Sequence, residues 1–228
     1  MINGHLFCIT LLKRIFDSIM NGLVDNFELL AGYLFDERRP LTEDEFYFLQ
    51  ILVRGKDGNH VSGNNKNRLV KYYVIRSKEQ LLDLKDEIIG ICHVVNGRAY
   101  IHPTRRSLKE VANKALEDTA HTFVSQNWIG LRGVYSTAAG QSYVSGDKQF
   151  IVDLDDFQYN DVLEVSMFID HLRGRKDERG RIAQKIVPTK HGYHLITNAF
   201  DVGEFTKKYP GIDIHKNNPT LLYYKSIE

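Results

Sequence analysis

The chain has only two cysteines, Cys8 and Cys92, too few for a disulfide framework or for a structural zinc held by cysteine alone. A reducing compartment is the simplest expectation. No stretch approaches the ~18 uninterrupted apolar residues that span a bilayer. The apolar run from Ile2 to Leu12 lacks a basic lead-in and a small-residue cleavage site, and Lys13 and Arg14 follow it, so it does not read as a signal peptide. These absences predict a soluble, cytoplasmic chain with no membrane partner. An excess of one charge is missing too: 30 Lys and Arg stand against 29 Asp and Glu, for a net charge of +1. That balance argues against a bulk polyanion binder of the histone kind, while leaving room for a local basic groove. The Gly-x-x-x-x-Gly-Lys-Ser/Thr phosphate loop and the Gly-x-Ser-x-Gly elbow are both absent. Gly55-Lys-Asp-Gly58 lacks the Lys-x-Asp-Gly spacing of covalent nucleotidyl transferases, and no third histidine or cysteine near His191 and His194 supports zinc.

What is present is ordinary in bulk and uneven in detail. With 228 residues, 43% of them hydrophobic and 26% charged, the chain can bury a core as one large domain or two small ones. Residues 1–50 carry four basic groups against eight acidic ones. Residues 54–76 carry six basic groups against Asp57, and residues 173–190 carry seven against Asp177 and Glu178. An acidic front and a basic middle point to one anion-facing surface on a neutral whole.

The first 50 residues read as helical. Phe16, Ile19, Leu23, Phe27 and Leu30 recur at spacings of three and four, and Thr42 with Glu45 forms a capping-box pattern ahead of Phe46, Phe48, Leu49, Ile51 and Leu52. The Gly/Asn/Lys-rich stretch Gly55–Asn67 reads as a boundary, which divides the chain into a helical region, 1–65, and a core, 66–228. From Leu69 the pattern alternates: a strand to Ile75, a helix capped by Ser77, a strand between Val94 and His102, and a helix from Ser107 to about Phe123. The Gly/Ser-rich stretch Ser136–Gly146 reads as a loop. A strand over Gln149–Leu154, a helix over Asp161–Leu172, a charged turn at Gly174–Gly180 and a hairpin of Ile182–Val187 with Tyr193–Thr197 follow. A short helix at Val202–Lys208 and strands near Ile212 and Leu221–Tyr224 close the chain. The fold class expected is α+β.

The most informative stretch is Phe150-Ile-Val-Asp-Leu-Asp-Asp156. Side chains alternate faces along a strand, so Phe150, Val152 and Leu154 share one face and Ile151, Asp153 and Asp155 the other. Packing the apolar face on helices pushes two carboxylates together on the opposite surface, where they repel unless a cation or a proton intervenes. Mg²⁺ or Mn²⁺ is the natural partner. The competing structural use of such aspartates is helix capping. In Gly192-Tyr-His-Leu-Ile-Thr197 the same alternation separates His194 from Leu195, and in Gly211-Ile-Asp-Ile-His215 it sets Asp213 and His215 opposite Ile212 and Ile214. Three such strands predict a polar cleft floored by Asp153, Asp155, His194 and Asp213.

The order Asp153-Leu-Asp155, then Thr189-Lys-His-Gly-Tyr-His194, then Ile212-Asp213 resembles the archaeo-eukaryotic primase superfamily, whose motifs are an Asp-x-Asp strand, a Ser-Gly-x-Gly-x-His-like strand and a hydrophobic-Asp strand. Thr189 stands for the usual Ser and Lys190 replaces the first Gly. The resemblance covers roughly residues 69–228. It implies an RRM-like antiparallel sheet with packed helices, preceded by an α/β unit. By residue, it implies that Asp153, Asp155 and Asp213 are catalytic metal ligands, and that His194 meets the phosphates of a nucleoside triphosphate, with Lys190 and Thr189 beside it. The stretch Arg98-Ala-Tyr-Ile-His-Pro-Thr-Arg-Arg106 mixes Arg98, Arg105 and Arg106 with Tyr100, a combination suited to gripping single-stranded nucleic acid.

The expected activity is a metal-dependent, primase-polymerase-like nucleotidyltransferase that makes or extends primers on a single-stranded DNA or RNA template, with a helicase or other replication proteins as partners. A metal-dependent nuclease and a catalytically inert single-stranded nucleic-acid-binding module are the alternatives.

Overall fold

The computed structural model describes residues 22–57, 67–144, 146–173 and 184–226. Among these residues ten strands form two sheets. The larger sheet contains β1 (Leu23–Asp25), β2 (Glu45–Arg54), β3 (Asn67–Ile75), β4 (Arg98–Ile101), the two-residue β5 (Arg106–Ser107) and the chain's last strand, β10 (Thr220–Lys225). Its order is β1-β10-β4-β2-β3, with β5 alongside β2. Helices α1 (Phe27–Leu34), α2 (Lys78–Asp83) and α3 (Lys85–Val95) pack with Leu49, Ile51, Ala99 and Leu222 of this sheet. On the other side, α4 (Leu108–Val124) and α5 (Val134–Gln141) bury Val111, Ala138 and Ala139 against Phe46 and Phe48.

The second sheet is built from β6 (Gln149–Asp155), β7 (Gln184–Pro188), β8 (Gly192–Asn198) and β9 (Asp213–His215), with α6 (Tyr159–Arg173) after β6 and α7 (Val202–Lys208) after β8. Its order is β7-β8-β6-β9 and every neighbouring pair is antiparallel. A β-α-β-β-α-β chain order with the first and third strands in the middle is the split βαβ, RRM-like arrangement. Val152, Leu154 and Leu195 turn to one face and pack with Val162, Val165 and Ile169 of α6 and Phe205 of α7. Val187 and Ile196 join the core of the larger sheet instead. The buried Asn26 side chain donates to the carbonyls of Pro188 (2.9 Å) and Leu221 (2.8 Å), tying β7 to β10.

The α+β class and most of the elements after residue 66 stand as expected. Ser77 caps its helix by accepting from the Gln80 amide at 3.0 Å, although the segment breaks into α2 and α3 at Leu84. Residues 45–54 are not helical. They form β2, the strand between β3 and β4. Both faces of β2 are covered, Tyr47, Leu49 and Ile51 on one side and Phe46 and Phe48 on the other, so the apolar residues never alternate with polar ones and imitate helical spacing. The Thr42–Glu45 pairing is real, with the Thr42 amide donating to Glu45 Oε2 at 3.2 Å, but it closes a turn that enters a strand. Because β2 pairs with both β3 and β4, the boundary at residue 65 cuts through one sheet. Within Ser136–Gly146, residues up to Gln141 belong to α5, whose small side chains fit against phenylalanines. The turn at Gly174–Gly180 and the helical reading around Phe16 and Ile19 lie outside the described residues.

Candidate functional site

Cross-strand register assembles the site. Asp153 on β6 lies directly opposite His194 on β8 and Asp213 on β9. Residues paired in this way project to the same face, so the carboxylates and the imidazole share the side of the sheet away from α6 and α7. They line a cleft of about 530 Å³ that also takes in Asp155, Thr189, Lys190 and His191, with Arg54, Asp57, Arg98 and Tyr100 of the larger sheet's end on its facing wall. The cleft is therefore bipolar, acidic on β6 and β9 and cationic on β2, β4 and the β7–β8 turn.

The turn that carries Lys190 is tightly built. The Thr189 amide donates to the Gly192 carbonyl (2.9 Å), and the Gly192 amide donates back to Thr189 Oγ1 (3.1 Å). The Asp156 amide donates to the His191 carbonyl at 2.8 Å, joining this turn to the end of β6. Gly192 faces Asp155 across the ladder, and a Cβ there would lie 2.1 Å from the Leu154 carbonyl oxygen. Only glycine lets the backbones approach this closely. Thr189 is buried, with its hydroxyl committed to the turn.

Asp153 is the electrostatic centre of the acidic side. Its Oδ1 is buried and receives no hydrogen bond; His194 Nε2 stands 3.5 Å from it, and His215 Nε2 stands 4.0 Å from Oδ2. Burial raises the Asp153 pKa and Asp213 reinforces the rise, while His215 and Arg54 oppose it. Asp155 is raised by burial and by Asp153. Burial, with help from His215, depresses His194 to about 4, and its Nδ1 is fixed by Thr220 Oγ1 at 2.9 Å. At neutral pH His194 is a neutral imidazole, so it meets an anion as a dipole rather than as a cation. Three carboxylates, one with an orphaned buried oxygen, are a donor set suited to a hard divalent cation. Among the described residues no three His, Cys, Asp or Glu groups form a ready-made metal cage, so the carboxylates are gathered on one face without being closed into a shell.

On the facing wall, Arg54 Nη1 donates to the Tyr100 hydroxyl at 3.1 Å. Arg98 Nε donates to Asp57 Oδ2 at 2.8 Å and Nη2 donates to Oδ1, and its guanidinium stacks 4.3 Å from the Tyr224 ring centroid. Burial works against the charge on Arg98 more than any single partner supports it, but the hydrogen bonds to Asp57 together with the charge interactions with Tyr100, Asp57 and Tyr224 leave the pKa raised. Lys190 Nζ lies over the same Tyr224 ring at 5.2 Å.

Of the expected site residues, Asp153, Asp155, Asp213, His194, Lys190, Thr189, Arg98 and Tyr100 converge on this cleft. Arg105 and Arg106 do not, and their assignment to nucleic-acid binding is corrected. Arg105 is buried and donates to Glu45 Oε2 (3.0 Å), the Tyr47 hydroxyl (3.2 Å) and the carbonyls of Arg39 and Pro40. Arg106 is fully buried, donates to the carbonyls of Ala139, Gly140 and Thr104, and pairs with His102 Nδ1; burial lowers its pKa to about 9. Both staple β5 to its surroundings. Arg54, Asp57 and His191 are site residues that local patterns did not single out. The basic run at 54–76 is the sequence signal for Arg54, and it becomes specific only once Arg54 is seen to end a strand. Asp57 and His191 lie in stretches weighed only for other chemistry, a nucleotidyl-transferase lysine motif and zinc.

No protein-family model, curated protein or solved structure matches this chain. No described helix is long and apolar enough to cross a membrane.

Proposed function

We propose that this chain is a metal-dependent, primase-polymerase-like nucleotidyltransferase acting on a single-stranded nucleic-acid template. The observation that carries the reading is the register of the second sheet, which sets Asp153 between His194 and Asp213 on one face, facing Arg54 and Arg98 across the cleft and beside Lys190 of the β7–β8 turn. The similarity of these three strands to the motifs of the archaeo-eukaryotic primase superfamily supports it, as does their occurrence on an RRM-like sheet. Asp153, Asp155 and Asp213 are the residues to hold Mg²⁺ or Mn²⁺, which when bound would orient a 3′-hydroxyl and stabilise the leaving pyrophosphate. Lys190 and Arg98 supply charge-assisted donors for phosphate oxygens. Neutral His194, held by Thr220, offers its Nε2 side toward the cleft beside Asp153. Tyr100 presents an aromatic edge between two arginines, which suits a base or sugar of the bound strand. Thr189 acts through the turn that positions Lys190.

The test is nucleotide incorporation on a single-stranded DNA template, with and without a primer, in Mg²⁺ and in Mn²⁺. Product that grows with nucleotide and falls at least ~100-fold in Asp153→Ala is the expected outcome, the scale of losing an essential electrostatic group. A shortened template would favour a nuclease. Binding without either product, indifferent to Asp153→Ala, would favour an inert module.

A further inference from the structure

The cationic wall of the cleft contains a carboxylate of its own. Asp57 takes the Nε and Nη2 edge of Arg98, the edge by which a guanidinium grips a phosphate in a bidentate pair. The pair is largely shielded, with side-chain exposures of 8% for Arg98 and 6% for Asp57, yet both residues line the cleft. Arg98 and Lys190 lie over one ring, Tyr224, and Lys190 has no hydrogen-bond or ion-pair acceptor among the described residues. Arg54 reaches the same place through the Tyr100 hydroxyl. Arg98 and Lys190 thus share one small aromatic platform, with Arg54 on the neighbouring Tyr100, and the carboxylate on that wall is Asp57. It is carried on a single 3-10 turn, Gly55–Asp57, at the end of β2 rather than within a strand or a long helix.

We infer that Asp57 is an internal stand-in for a phosphoryl ligand: it holds the Arg98 guanidinium until a phosphate-class anion displaces it and bridges Arg98 to Lys190. This rests on the reading of the cleft as a nucleotide site, and it adds a self-competing ligand to that site. The exchange conserves charge pairing, since one anion replaces another on the same guanidinium edge and the freed Asp57 moves to water. The internal ligand keeps a buried cation from standing uncompensated in the empty cleft, a costly state, and it sets a threshold that weak anions do not pass. A group with two linked phosphates passes it by reaching Lys190 as well as Arg98.

Titration with inorganic pyrophosphate, followed by calorimetry in EDTA without template, tests this directly. Asp57→Asn keeps the shape of the side chain and removes its charge, and should bind pyrophosphate about ten-fold more tightly than the natural chain. Asp57→Asn combined with Arg98→Gln should lose that gain. Equal or weaker binding by Asp57→Asn would overturn the inference and make Asp57 an anchor for Arg98. In the natural chain, saturating pyrophosphate should increase amide hydrogen exchange in Gly55–Asp57; unchanged or slower exchange would overturn it without any variant. Because neither readout needs a divalent metal or turnover, a chain that exchanges Asp57 for pyrophosphate but incorporates no nucleotide would refute the polymerase reading alone.

Discussion

Asp153 sits where a carboxylate is poorly accommodated, half-buried on a central strand with Asp213 beside it and one oxygen without a hydrogen bond. Its raised pKa makes this a statement about stability. The folded chain favours the protonated acid, so ionised Asp153 opposes folding, with a cost that is absent in acid and grows as pH rises from the ordinary aspartate range through the raised value. Asp153→Asn removes that cost. The variant should lose incorporation activity and yet melt at a higher temperature than the natural chain at pH 7. The gain should shrink toward zero as pH falls to about 4. Scanning calorimetry across pH checks it, and a variant less stable than the natural chain at pH 7 would show that Asp153 serves the fold. The buried arginines make the opposite point. Arg106 is spent on carbonyls of α5 and Arg105 on the turn before β2, so charge in a sequence segment does not by itself mean an exposed charge.

At the scale of elements, the β6–β8 ladder is what turns dispersed residues into a site. Its register runs from Gln149↔Asn198 to Asp155↔Gly192, and the last pair depends on the missing side chain at Gly192. Gly192→Ala forces a methyl group into the Leu154 carbonyl, where the neighbour is backbone and cannot swing aside. The variant should lose about 3 kcal/mol or more in urea unfolding, as expected for overpacking a close backbone contact. Any variant that still folds should misplace Lys190 and Asp155 together. A loss under ~1 kcal/mol would mean that the ladder relaxes there. The alternation that exposes Asp153, His194 and Asp213 was legible in the sequence because each strand has one face on helices and one on the cleft. The same reasoning fails for β2, which is covered on both faces and carries no period of two. The pairing of Arg54 and Arg98 with the acidic side was not legible either. It depends on β10 returning from the second unit to lie between β1 and β4, a long-range choice that no local pattern encodes.

For the whole molecule, the issue is whether residues 66–228 form an independent core, as composition alone suggests. The structure argues that they do not. Tyr47, Leu49 and Ile51 of β2 are at most 3% exposed and face α1 to α3, while Phe46 and Phe48 are fully buried beneath α4 and α5. Removing the strand separates β3 from β4 and strips both layers of helices of their common partner. The second sheet is implicated as well, because Val187 and Ile196 are buried in that same core and Asn26 bonds to Pro188. Burying five such side chains is worth roughly 1.5–3 kcal/mol each, a total comparable with the ~5–15 kcal/mol that separates most folded domains from their unfolded chains. A chain beginning at residue 66 should therefore show no cooperative thermal transition, whereas the full chain should unfold in one step seen alike by far-ultraviolet and aromatic circular dichroism. A sharp transition in the shortened chain would mean that the RRM-like unit carries its own stability. Two separate transitions in the full chain would mean that the sheets fold independently, and the cleft between them would then owe its geometry to docking rather than to a shared core.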